Sequence, residues 1–229
     1  MARSETNDLI DEVESILSDL SDTGRITPIK VKSMLEHLRS SLEYLSNDIF
    51  TKYNPGKIAP DRLYFPYGKK QFVDNYFKKI GINTPSDSEL YSTITSIQDY
   101  YTRENWLSML CNLTNEVKHR GPIKLHNHET ITEHKIFAGN HELVRATNVG
   151  SIKVSIGTIE INGKKTTNLK YDNGKLETST SEIPINIVLT KNNKIKFHGL
   201  EYEVEPFIKS CAGNLRKMIN KCYDILEEH

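Results

Sequence analysis

The sequence lacks a net charge: 30 Lys and Arg stand against 30 Asp and Glu in 229 residues. No global field therefore draws the chain to a polyanion, and any basic surface has to be local. Cysteine is scarce, and Cys111, Cys211 and Cys222 have no framework spacing. They read as core filler and as the reduced thiols of a cytoplasmic protein. No apolar run approaches the length of a membrane span, and MARSETNDLIDE has no apolar leader segment, so neither a membrane nor a secretory route is expected. Gly150 and Gly157 do not precede helices, which argues against a phosphate-binding loop. Neither a Ser/His/Asp order nor a paired-carboxylate constellation stands out.

What is present is periodicity. Residues 5–21 carry Leu9, Ile10, Val13, Ile16, Leu17 and Leu20 on one helical stripe, with an acidic solvated face opposite. Pro28 opens a longer helix to about Lys52, whose Val31, Leu35, Leu38, Leu42, Leu45 and Ile49 repeat as in a helical bundle. Arg39 and Glu43 flank that stripe one turn apart. They read either as a surface pair or as partners of the polar face that carries Asn115 and His119. Residues 53–69 are broken by proline and glycine yet rich in Tyr, Phe and Lys. Such a segment either anchors itself by its aromatics or binds single-stranded nucleic acid by charge and stacking. A short helix over 71–80 follows, then one from Ser86 or Ser88 to Tyr100.

The stretch Tyr101–Leu125 reads as a helix with Trp106, Leu110, Leu113 and Val117 on its apolar side. Ser108, Asn112, Asn115 and His119 fall on the other side, where a merely solvated face would carry Glu and Lys. Gly121-Pro122 stops it, with Lys118, His119 and Arg120 in the last turn, where cations suit the helix dipole. Beyond it the period falls to two. Asn162-Gly163 and Asp172-Asn173-Gly174 mark hairpin turns, and Pro184–Thr190 and Lys194–His198 are expected to pair across Asn192-Asn193. Pro206 starts a last helix too apolar to leave exposed. The expectation is an α+β chain: a helical bundle over 1–125, an antiparallel β-rich insertion over 126–205, and a C-terminal helix over 206–229 returning to the bundle.

His126, His128, His134 and His141 with Glu129 and Glu133 invite a metal reading. No third ligand follows at motif spacing, so no metal and no other cofactor is expected, and a polar loop or edge strand is the plainer reading.

The ordered strings LRSSLEYL (Leu38–Leu45), YFP (Tyr64–Pro66), SIQDYY (Ser96–Tyr101) and LCNLTNEVKHR (Leu110–Arg120) resemble a group of uncharacterised prokaryotic proteins. In that group an Arg-containing, LDHL-like helix precedes an FPI-like loop, an IQPY-like helix end and an N-x-x-KHR helix. More remotely, the arrangement is similar to HEPN domains, helical bundles of prokaryotic toxins and antiviral ribonucleases. The resemblance implies a HEPN-like homodimer associated with RNA, with Asn115 and His119 at the polar and His positions of the ribonuclease motif. Thr114 stands where that motif carries its catalytic Arg, which implies a weak or lost metal-independent activity. If RNA is cleaved, His119 is the general acid/base, Asn115 orients it, and Lys118, Arg120 or Arg39 holds the phosphate. The rival is a non-catalytic interaction module whose β insertion binds a protein partner.

Overall fold

A computed structural model describes residues 2–23, 26–60, 63–83, 85–120, 122–149 and 151–228, without the side chains of 21–23, 117–120, 192 and 193. The chain is α+β and divides into two compact units, Met1–His126 with Ile195–His229, and Asn127–Lys194.

The first unit is helical. Its centre is α2 (Pro28–Tyr53), started by Pro28 and capped by Thr27, whose hydroxyl accepts the Lys30 N–H at 3.3 Å. Leu35, Leu38, Leu42, Leu45 and Ile49 lie wholly buried along it. The α1 helix (Arg3–Thr23) and α7 (Val204–Glu228) pack on it and on each other. The α1–α7 seam combines a buried hydroxyl contact with ion pairs along its exposed rim. Thr6 and the Tyr223 hydroxyl meet at 2.9 Å, Arg216 donates to Asp11 at 2.6 Å, and Arg3 donates to Asp224 at 2.7 Å. Removing Leu and Ile side chains from water on this scale is worth roughly 1.5–3 kcal/mol each, so the stripe decides the packing and the rim pairs only trim it.

The α3 helix (Lys70–Lys79) buries Val73, Tyr76 and Phe77. The helix expected from Ser86 or Ser88 to Tyr100 is in fact three pieces: a 3-10 turn at Pro85–Asp87, α4 (Glu89–Thr95) and α5 (Asp99–Thr102). The break has a cause in Gln98, which is extended (φ −77°, ψ 144°) and wholly buried. Its side-chain amide donates to the Pro66 carbonyl at 3.0 Å and the Ile94 carbonyl at 3.3 Å. Arg103 then sits in the left-handed region (φ 61°), so α6 begins at Trp106 rather than Tyr101 and runs to Arg120.

The second unit is built on two sheets. One has the order β2-β1-β7, from β1 (Leu125–Ala138), β2 (His141–Thr147) and β7 (Ile185–Phe197). The other has β3 (Lys153–Ile161), β4 (Lys164–Asp172) and β5 (Lys175–Glu177) in that order, with β6 (Thr180–Ser181) also on β4. The β1–β2 and β3–β4–β5 pairings are antiparallel. Asn162-Gly163 turns β3 into β4 with both residues at positive φ (51° and 75°), the conformation a two-residue hairpin turn requires. The hairpin expected across Asn192-Asn193 does not form. Both asparagines lie inside the single strand β7, which pairs with the 14-residue β1 and has no need to fold back. The buried core of this unit is small: Ile136, Ala138, Leu169, Tyr171 and Ile183, with His134 and Thr166 among them.

Candidate functional site

On the flank of α2, Arg39 and Glu43 are one turn apart and form an ion pair, Nη2 to Oε1, at 2.5 Å. Arg39 is only 8 % exposed. Its other terminal nitrogen donates to Cys111 Sγ on α6 at 2.7 Å, and the guanidinium lies over the Tyr67 ring, 5.1 Å from its centroid. Burial pushes the Cys111 thiol up to about 12 against the opposing pull of Arg39, so the guanidinium meets a neutral thiol, with Glu43 as the balancing charge.

The same carboxylate reaches the segment 63–67. Glu43 Oε2 accepts the Phe65 N–H at 3.1 Å, and Gln98 holds the next carbonyl, that of Pro66. Tyr67 packs under the guanidinium, and its hydroxyl accepts from the Asn115 side chain at 3.2 Å. Gly68 follows at φ 90°, where a Cβ would come within 3.7 Å of Ser108 Oγ. Leu63, Phe65 and Pro66 are buried and anchor the segment; Tyr64 alone in that run is exposed, at 59 %. The four strings quoted from the sequence thus contribute Arg39 and Glu43, Phe65 and Pro66, Gln98, and Cys111 and Asn115 to one cluster.

The polar side of α6 is divided. Ser108 and Asn115 face the Tyr67–Gly68 turn. Asn112 instead lines a separate cavity of about 340 Å³ with Met109, Glu116, Lys124 and His198. Thr114 is buried, its hydroxyl donating to the Leu110 carbonyl at 2.7 Å, so this position faces the core. The backbone of Lys118, His119 and Arg120 belongs to α6, but their side chains lie outside the described residues.

No family model, curated protein or solved structure matches this chain.

Chemically, the described cluster is a clamp. The Arg39 donors go to Glu43 and Cys111 and its face to Tyr67. Cys111, Gln98 and Tyr67 are the members that residue patterns alone did not single out. Cys111 and Asn115 are separated by one helical turn, which was the available signal.

In the second unit, His134 is wholly buried and its Nδ1 lies 2.8 Å from the Tyr171 hydroxyl, with no partner at Nε2 among the described residues. Glu133 pairs with Lys135 at 2.9 Å, and Glu129 pairs with Lys191 at 2.8 Å. Among the described residues, no three His, Cys, Asp or Glu side chains are grouped to hold a metal ion, and no helix is long and apolar enough to cross a membrane.

Proposed function

We propose that this chain is an RNA-associated, HEPN-like protein of a prokaryotic defence or toxin type, working as a homodimer, in which ribonuclease activity has been lost. The observation that carries the second half of this reading is the commitment of Arg39. A guanidinium that is 8 % exposed and already engaged by Glu43, Cys111 and the Tyr67 ring is a poor holder for a scissile phosphate. Thr114, at the position of the absent catalytic Arg, is buried and adds no cation. What remains of the motif supports a structural role, in which Asn115 and Arg39 brace the aromatic segment 63–67 against the bundle. The convergence of all four resembling strings on that one brace supports the family reading.

The test is a gel-shift and cleavage assay on labelled RNA in EDTA, with wild type and His119→Ala compared at equal melting temperature. The expected result is retention of intact RNA by both proteins. Cleavage by wild type that disappears in His119→Ala would restore His119 as general acid/base, with Lys118 and Arg120 at the phosphate. Absence of any RNA retention would favour the rival, a protein partner bound through the β-rich unit.

A further inference from the structure

Phe72 is half exposed on a helix whose other large apolar side chains are packed. A helical period brings Phe72, Asn75 and Lys79 to one face of α3, with Phe72 and Lys79 separated by about 10.5 Å of helix rise. That face and the segment Leu63–Tyr67 line an open cleft of about 570 Å³, with Tyr64, Phe72 and Lys79 among its lining residues. A single exposed aromatic is ordinary, but apolar side chains that adjoin one another in a groove with a polar rim form the kind of patch that marks an interaction site.

Lys79 lines the cleft, and the chain segment that forms it is predominantly basic. Residues 63–83 hold Lys69, Lys70, Lys78 and Lys79 against Asp74 alone. Asp74 is already occupied, accepting from the Tyr91 hydroxyl at 2.6 Å and pairing with Lys70 at 3.0 Å. The Tyr91 hydrogen bond, helped by Lys70, holds its carboxyl below the usual range. Lys69, Lys78 and Lys79 are exposed and make no ion pair among the described residues. The chain as a whole is neutral, so this excess is local; Lys79 shares the cleft with the exposed Tyr64 and Phe72 rings, and Lys69 follows Tyr67 by two residues.

We infer that this cleft binds unpaired bases of single-stranded RNA, which stack on Tyr64 and Phe72 while Lys69 and Lys79 meet the flanking phosphates. The assignment rests on the RNA-associated reading above and names the surface and strand form it uses. Stacking is tolerant of sequence because every base has a π-face, and lysines along the rim supply a salt-dependent attraction to the backbone. The clamp gives the site its rigidity. With Phe65 N–H, Pro66 carbonyl and Tyr67 hydroxyl all tied to the bundle, the Tyr64 ring is presented without a large ordering cost on binding. A proline-rich peptide would also use aromatic faces, but it gains nothing from an uncompensated lysine rim.

The experiment measures binding of a fluorescent oligo(U) of about 16 nucleotides, with a duplex of equal charge and a labelled proline-rich peptide in parallel. Tyr64→Ala and Phe72→Ala should each weaken oligo(U) binding by roughly tenfold at unchanged melting temperature, and Lys79→Glu should weaken it and flatten its salt dependence. The duplex should bind less tightly and be indifferent to the two aromatic changes. If oligo(U) binds and all three variants match wild type, RNA association stands and the cleft assignment falls. If no RNA binds at all, both fall together. Peptide binding that is lost in Tyr64→Ala and Phe72→Ala while oligo(U) is unaffected overturns the assignment in favour of a peptide site.

Discussion

Glu43 accepts the backbone N–H of Phe65 at 3.1 Å with one oxygen while its other oxygen faces Arg39. One carboxylate therefore neutralises a buried cation and fixes the segment that presents Tyr64. Removing its charge leaves Arg39 buried without a counter-ion, a change that typically costs about 3–5 kcal/mol. Glu43 is itself 23 % exposed, which puts the expected loss for Glu43→Gln toward the lower end, about 3 kcal/mol. Replacing both partners, Arg39→Met with Glu43→Met, should lose less than the two single changes summed. Urea unfolding followed by the fluorescence of Trp106, the chain's one tryptophan and part of the helical core, measures this. Strict additivity would mean that the pair is not coupled.

Gln98 offers a test with a built-in pH signature. Its Nε2 faces the carbonyls of Pro66 and Ile94, so the site has acceptors and needs a donor. In Gln98→Glu a carboxylate would meet two carbonyl oxygens in a wholly buried position, which raises its folded-state pKa above the unfolded value of about 4.3. The variant should approach wild-type stability below that pH, where the acid form donates. It should then lose stability as pH rises towards the folded pKa, by roughly 3 kcal/mol at pH 7. Gln98→Leu should lose about 1–3 kcal/mol independently of pH. Parallel pH profiles for the two variants would remove the carbonyl-facing donor from the account.

Which features the sequence disclosed follows from how far each one reaches along the chain. The α1, α2 and α7 stripes repeat every three or four residues, and the structure buries Ile10, Leu38, Leu42 and Ile219 as that period requires. The Asn162-Gly163 turn is equally local. The clamp is not: Arg39 meets Cys111 72 positions away, and Gln98 meets Pro66 32 positions away. No window along the chain holds both partners, so Arg39 stayed open between a surface pair and a partner of the Asn115/His119 face, and Cys111 read as filler. The same long reach misled the reading of Ser86–Tyr100 as one helix, because the buried amide of Gln98 outweighs local propensity there. Asn192-Asn193 failed in the opposite direction: a local turn signal yielded to pairing along a 14-residue neighbour.

In the β-rich unit the buried polar pair His134–Tyr171 should behave as a unit. Their rings meet edge to face, with centroids 5.9 Å apart, and share a hydrogen bond of 2.8 Å. Tyr171→Phe strips the imidazole of that hydrogen bond, and His134→Phe strands a buried hydroxyl, each costing about 1–3 kcal/mol. Making both changes replaces the pair with an aromatic contact and leaves nothing stranded. The double variant should recover roughly 1 kcal/mol relative to the sum. Amide hydrogen exchange along β1 and β4 reads the opening of this unit separately from the helices.

The thiols set an alkaline limit on the helical unit. Burial raises Cys111 to about 12 from about 9 for an ordinary thiol, and raises Cys211 and Cys222 further. All three are free and buried. Because the folded pKa exceeds the unfolded one in each case, the stabilisation is complete below about pH 9. Above it the unfolded chain gains by losing protons that the folded chain retains, and each thiol contributes roughly 1.4 kcal/mol per pH unit until its folded pKa is reached. The urea midpoint read by Trp106 should therefore be flat from pH 7 to 8. It should then fall between pH 9 and 10 by an amount equivalent to roughly 3 kcal/mol for the three thiols together. In Cys211→Ala, whose thiol interacts with Cys111 but makes no hydrogen bond to Arg39, about a third of that fall should disappear while the neutral-pH loss reflects chiefly the smaller side chain. A midpoint that stays level to pH 10 would show that the thiols ionise as readily in the folded chain as in the unfolded one.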